Sequence, residues 1–326
     1  MNRWFVLLPL ILLLVAMASP GDFYIHFATR ILIFAIFAFS LNLLLGYGGL
    51  MSLCQSAFFG IAGYAVAWLT VKHNFSHTAA IFVALALVVA VSAVFAALSL
   101  RARGIGFLMI TLALGQIVWG LAMRWVDVTG GDNGIRGIKR PSPFGFDISH
   151  ALSFYFFTSA IFLLACLAMY LLTRSPFGAS LQGVRDQPRR MSSLGYDVWL
   201  IRFIAFIAAA LFAAIAGVID VYFNKFISPE VLSLVASAEV LLMVIVGGSS
   251  ALLGPVVGAA VVLIFAQIAS NYLDRWTAAL GALFLVIVLF MPEGIVPGAR
   301  RVARYAKGLR MPAAGSPGAP DCGRPS

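Results

Sequence analysis

Long apolar runs, separated by short polar, Gly or Pro breaks, organise this chain from end to end. A membrane-crossing helix needs about 20 mostly apolar residues. Ten runs approach that length: 4–19, 27–46, 50–70, 79–100, 105–125, 151–173, 200–222, 234–249, 254–271 and 275–291. The pattern predicts an all-α, polytopic membrane helical bundle of about ten transmembrane helices within residues 1–308. Residues 309–326, rich in Pro, Gly and Ala without periodicity, are expected to form a disordered tail. Two runs are irregular. The run 234–249 is short for a crossing, and 50–70 is interrupted by Gly60 and Gly63. Irregular backbone at membrane depth is tolerated only where protein or a cavity surrounds it, so both segments point to a transport path. The first run, with Arg3 before it and Ala16-Met17-Ala18 at its end, has the form of a signal peptide. An uncleaved first helix is the expectation, because the next segment is apolar too.

Composition excludes the soluble alternatives. Only 10% of the 326 residues are charged and 62% are hydrophobic, where a soluble domain carries roughly 25% charge. That rules out a water-facing surface around one core, and equally a disordered chain. The net charge of +10 reads as orientation once it is assigned by segment. With the N-terminus inside, fourteen of the 22 Lys and Arg residues fall on the inner side, against Asp186, Asp197, Glu293 and Asp321. The outer side balances eight basic against eight acidic residues. This is the positive-inside bias, placing both termini in the cytoplasm and leaving no need for a nucleic-acid partner.

Enzyme chemistry has little to stand on. The sequence contains no G-x-x-x-x-G-K-[ST] phosphate loop, no G-x-S-x-G elbow and no H-E-x-x-H pair. His26, His73, His77 and His150 fall in or beside outer loops without metal-ligand spacing. Cys54, Cys166 and Cys322 offer no disulfide framework or metal site. Of the acids, Glu239 alone lies well within a span and Asp220 sits near an outer end, too few for an extended ion relay. The spans offer small neutral-polar groups instead. Asn42, Tyr47, Gln55 and Ser56 surround Gly46-Tyr47-Gly48-Gly49; Thr111 and Gln116 lie in the fifth span, and Ser237 and Glu239 in the eighth. These eight are the candidate lining of a translocation path, with helix-packing glue as the alternative role.

Two loops carry most of the remaining polar sequence. The outer loop 126–150 holds Thr129, Gly130, Gly131, Asp132, Asn133 and Gly134 ahead of Pro141 and Pro143, a composition that specifies turns rather than a helix. It is either a solvated connector or a docking surface. The inner loop 174–199 has Ser175 placed to cap a helix that starts at Pro176. Pro188 breaks or restarts that helix, and Gly195 suits a left-handed stop. Two short amphipathic helices are therefore expected on the cytoplasmic face, with Phe177, Leu181, Val184, Met191 and Leu194 needing a surface to cover.

An ordered set of segments resembles the permeases of branched-chain amino acid ABC importers. It comprises Leu41-Asn-Leu-Leu-Leu-Gly46-Tyr-Gly-Gly, Ser52-Leu-Cys-Gln-Ser-Ala-Phe-Phe-Gly-Ile61, Thr111-Leu-Ala113, Thr129-Gly-Gly-Asp-Asn-Gly134, Arg174-Ser-Pro-Phe-Gly178, Met191-Ser-Ser-Leu-Gly-Tyr-Asp197, Ile227-Ser-Pro229, Gly247-Gly-Ser-Ser-Ala-Leu-Leu-Gly-Pro255 and Pro292-Glu-Gly-Ile295. The likeness is closest to the larger of the two permease types, which carries the Thr-Gly-Gly loop. Where this chain has Cys54-Gln55, the family often has Gly-His or Gly-Gln, which would retune the path locally.

The resemblance implies an ABC importer permease fold in a bacterial inner membrane. It also implies a second permease subunit of a different chain, two cytoplasmic ATPases and an extracytoplasmic solute-binding protein. No cofactor is then expected on this chain, since ATP would be hydrolysed by the partner subunits. The coupling element would be the inner loop, with Ser175, Phe177, Gly178, Arg185, Arg189 and Gly195 as its candidate residues. Thr129, Gly130, Gly131, Asp132 and Asn133 would face the binding protein. Related permeases carry urea, short amides or aromatic acids, and an ion-coupled carrier using Glu239 and a membrane scaffold are the readings from other classes.

Overall fold

The structure is a computed structural model that describes residues 22–140, 150–249 and 251–272, together with Gly281, Ala282, Leu285 and Gly294. The expected first run 4–19, nearly all of 275–291 and the tail 309–326 lie outside the described residues. The other eight expected runs are all helical.

Helix α1 (Asp22–Asn42) continues as a π-helical turn, Leu43–Tyr47. It is followed by α2 (Gln55–Val71), α3 (His77–Ser99) and α4 (Ile105–Arg124). Next come a single turn, α5 (Val126–Thr129), a 3-10 turn (Gly131–Asn133) and β1 (Ile135–Arg136). The chain recrosses in α6 (Ala151–Arg174) and lays down α7 (Pro176–Asp186) and α8 (Pro188–Ser193). It then returns in α9 (Val198–Asn224), and β2 (Phe226–Ile227) and a 3-10 turn (Pro229–Leu232) lead to α10 (Leu234–Gly247) and α11 (Gly254–Tyr272).

Six of the described helices, with α1 counted through its π turn, are long and apolar enough to cross a bilayer. The two irregular runs became the two short helices. The 17 residues of α2 and the 14 of α10 span about 26 and 21 Å at the α-helical rise, less than the roughly 30 Å hydrocarbon core. In α2 the shortfall lies at its start and not at Gly60 and Gly63, through which the helix runs unbroken because both sit in close contact with neighbouring side chains, Leu232 and Ile227. Residues 48–54 are extended or turned, and the helix begins only at Gln55.

Helices α1 and α9 form the centre, α9 packing on α1, α2 and α3 while α1 also meets α6, α10 and α11. Both are 72% buried over their apolar windows, against 22% for α4. Burial of this extent requires close backbone approach. A Cβ on Gly217 of α9 would collide with the Phe59 carbonyl of α2, and one on Gly258 of α11 with the Met243 carbonyl of α10. Small residues at helix crossings are how membrane bundles gain van der Waals contact when lipid supplies no hydrophobic drive. Aromatic pairs fill the rest of the centre. Phe37 stacks on Phe59 at 4.6 Å, and Phe58 meets Phe206 edge-on at 5.7 Å.

The outer loop departs from the expectation of turns alone. Its first four residues close a helical turn, and β1 pairs antiparallel with β2 (Ile135 with Ile227, Arg136 with Phe226). This small ladder fastens the outer loop to the segment that follows α9.

Candidate functional site

The polar candidates of the spans gather around the two short helices. Ser56 lies in the first turn of α2, where backbone N–H groups have no helical partner. Its N–H donates to Ser237 Oγ of α10 at 3.3 Å, Ser237 Oγ donates to Ser56 Oγ at 2.6 Å, and Ser56 Oγ donates to the Leu232 carbonyl at 3.4 Å. Nearby, the Leu53 N–H donates to Thr111 Oγ1 of α4 at 3.3 Å, and Thr111 donates to its own helix at Leu108. Side chains of α4 and α10 thus satisfy the broken backbone around the start of α2. These serine and threonine hydroxyls act as glue.

Asn42 and Gln55 differ. Asn42 ends α1 and Gln55 begins α2, and both side chains are buried, at 0% and 1% exposure. Neither amide has a hydrogen-bond partner among the described residues, on nitrogen or on oxygen. A buried amide without a partner costs about 1–3 kcal/mol, and here two stand at consecutive helix ends. Tyr47 and Glu239 are half-buried, as is Gln116 of α4, which stands apart from this group. Glu239 lies in the electrostatic field of Arg30 of α1 and of Glu230. Buried Asp220 of α9 shares Arg30 and is hydrogen bonded to Asn224. Arg30 thus serves acids on two other helices, a role with no local sequence signal.

The Thr-Gly-Gly segment is a folded knot. Thr129 Oγ1 contacts the Ala122 and Trp125 carbonyls at 2.6 and 2.9 Å and accepts the Gly131 N–H at 3.1 Å. Gly130, Gly131 and Gly134 all have positive φ, and a Cβ at Gly134 would strike the Ile227 carbonyl beside the β-ladder. Thr129 and Gly131 are buried and Gly130 half-buried, so Asp132 and Asn133 are the exposed members available to a partner. Lys72, at the end of α2, donates to the Asp127 carbonyl and secures the knot from below.

In the 174–199 loop the local signals are realised. Ser175 Oγ accepts the Gly178 N–H at 3.3 Å, Pro176 is the first residue of α7, Pro188 opens α8, and Gly195 has φ of +86°. Gly178 fits a tight corner, since a Cβ there would lie 2.5 Å from the Leu172 and Thr173 carbonyls. The apolar face of α7 turns inward. Leu181 and Val184 are fully buried in the chain itself, and Phe177 and Met191 are half-buried. Outward residues include Arg185, Asp186, Arg189, Arg190, Leu194, Gly195 and Tyr196. Arg185 lies differently from its neighbours, donating from its guanidinium to the Gly46 carbonyl in the π turn of α1.

Six apolar helices long enough to cross a bilayer, two shorter apolar helices between them, a two-helix loop at one end and a glycine knot in another loop mark a multi-pass membrane protein. The chain belongs to the family of permease components of branched-chain amino acid transport systems, whose model matches residues 23–291. The resemblance seen in the motifs is therefore a family relationship. Among curated relatives, it is 26% identical over 315 residues to the high-affinity branched-chain amino acid transport system permease protein LivM of Escherichia coli K12, covering 90% of this chain and 74% of the relative. The protein of the same name from Salmonella typhimurium matches with the same identity and coverage. No solved structure matches.

Proposed function

We propose that this chain is the membrane permease subunit of an ATP-binding cassette importer that moves branched-chain or related amino acids into a bacterial cell. In this reading it crosses the cytoplasmic membrane with both termini inside. It pairs with a second, different permease and is driven by two ATPase subunits. An extracytoplasmic binding protein delivers the solute. The chain itself binds no nucleotide.

The observation that carries this reading is the pair of buried, unpartnered amides of Asn42 and Gln55. They mark a neutral polar path, suited to a solute whose own charges are handed through rather than held. Neutral amides and hydroxyls bind zwitterions weakly, and a conduit must release what it accepts. Solute choice then falls chiefly to the binding protein, which leaves urea and short amides as alternative cargo for the same architecture. Outward-facing Arg189, Leu194 and Tyr196 form the surface for the ATPase, and Asp132 and Asn133 form the one for the binding protein.

The test is reconstitution of the permease pair with its ATPases and binding protein in liposomes. Uptake of radiolabelled leucine should require ATP and the binding protein. Gradient-driven uptake by this chain alone, abolished by Glu239→Gln, would establish an ion-coupled carrier instead.

A further inference from the structure

The π turn leaves a specific problem at the cytoplasmic end of α1. Helix C-termini expose carbonyls without intrahelical partners and carry partial negative charge. The Leu43 carbonyl accepts from the Gly48 N–H at 3.1 Å, and the Leu44 carbonyl from the Leu50 N–H at 2.9 Å. The Gly46 carbonyl is taken by the Arg185 guanidinium, from a residue 139 positions away on α7. The alkyl part of Arg185 covers Gly49, whose φ is +66° and whose missing Cβ would lie 2.8 Å from Arg185 Cγ.

Three elements meet at this point. A Cβ on Gly46 would press on the Ser249 carbonyl, in the turn between α10 and α11, and would lie 2.6 Å from Asn42 Oδ1. Gly46, Tyr47, Gln182, Arg185, Asp186 and Ser249 line an open cleft of about 270 Å³. The same residue that receives α7 therefore touches the unpartnered amide of the path on one side and the α10–α11 turn on the other.

We propose that Arg185 is a latch, a positioning residue that transmits displacement of α7 to the cytoplasmic end of α1 and so to Asn42. This rests on the importer reading, in which the ATPases act on the loop containing α7. Arg185 then belongs to the permease's own moving parts instead of the ATPase contact surface. Its charge-assisted hydrogen bond makes α7 and the π turn move as one unit. Without it α7 can still follow the ATPases while α1 does not.

The assembled importer in liposomes tests this, with leucine imported per ATP hydrolysed as the readout, alongside co-purification of the ATPases. In Arg185→Ala the ratio should fall about tenfold, the size expected for loss of a charge-assisted hydrogen bond, with the ATPases still bound. Arg185→Lys, which keeps a donor, should recover most of it. If Arg185→Ala folds poorly, Arg185→Gln provides the same comparison with a longer neutral side chain. An unchanged ratio in these neutral variants, or loss of the ATPases from the complex, would overturn the latch while leaving the importer reading intact. No ATP-driven uptake by the unmodified complex would overturn the importer reading itself.

Discussion

Ser56 and Ser237, 181 residues apart in sequence, hold each other's hydroxyls at 2.6 Å inside the bundle. Ser237 also accepts the backbone N–H of Ser56, so it caps the start of α2 from α10. Ser237→Ala would strand that buried N–H at a cost of about 1–3 kcal/mol. Thermal denaturation of the detergent-solubilised protein should show the loss, and Ser237→Thr should largely restore stability.

Asn42 and Gln55 should behave in the opposite way. Their amides make no hydrogen bonds among the described residues, so Asn42→Leu and Gln55→Leu remove no internal hydrogen bond. Stability should hold or rise by about 1 kcal/mol, since an apolar replacement for a buried unpaired polar group is near neutral or favourable. Leucine uptake should nonetheless fall at least tenfold. Wild-type uptake in both variants would remove these residues from the path.

The glycine knot separates structural from contacting residues. Thr129→Val deletes a hydroxyl that binds three backbone groups and should destabilise the outer loop by about 1–2 kcal/mol, seen as faster hydrogen exchange over 126–137. Asp132→Ala with Asn133→Ala touches exposed side chains and should leave exchange unchanged while weakening binding-protein affinity. Equal affinity would place docking elsewhere.

Glycines at helix crossings should tolerate nothing larger. Gly217→Ala and Gly258→Ala each drive a methyl group into a backbone carbonyl, and overpacking of this kind costs about 1–3 kcal/mol. Gly120→Ala, with no atom within 4 Å of the added methyl group, should be neutral. Yield of folded protein after membrane extraction separates the two outcomes.

Much of the fold was legible because its causes are local. The start of α7 at Pro176 under a Ser175 cap, the restart at Pro188 and the left-handed Gly195 all follow from residues within a few positions of each other. The shortness of α10 showed as a short apolar run, whereas the glycines of the 50–70 run lie inside an unbroken α2. What could not be seen was pairing across the bundle. Nothing near Gly46 announces Arg185, nothing near Ser56 announces Ser237, and the two-residue strands β1 and β2 are too short for any pattern. The candidate path residues were similarly named as a group, but hydroxyls that serve as glue and amides that stay open are told apart only by their neighbours. Arg185 shows the same limit. A basic residue on an amphipathic loop helix has the composition of a docking contact, and its direction is set by a carbonyl 139 positions away.

The π turn of Leu43–Tyr47 amounts to one residue inserted into an α-helix. Everything beyond it is consequently rotated by about 100° relative to an uninterrupted helix. The Gly46 carbonyl that meets Arg185 of α7 lies within this turn. Trimming the segment by a single residue would keep the helix continuous and every side-chain type nearly unchanged, yet swing that carbonyl away. The contact between α7 and the end of α1 is therefore encoded in a residue count as much as in residue identity.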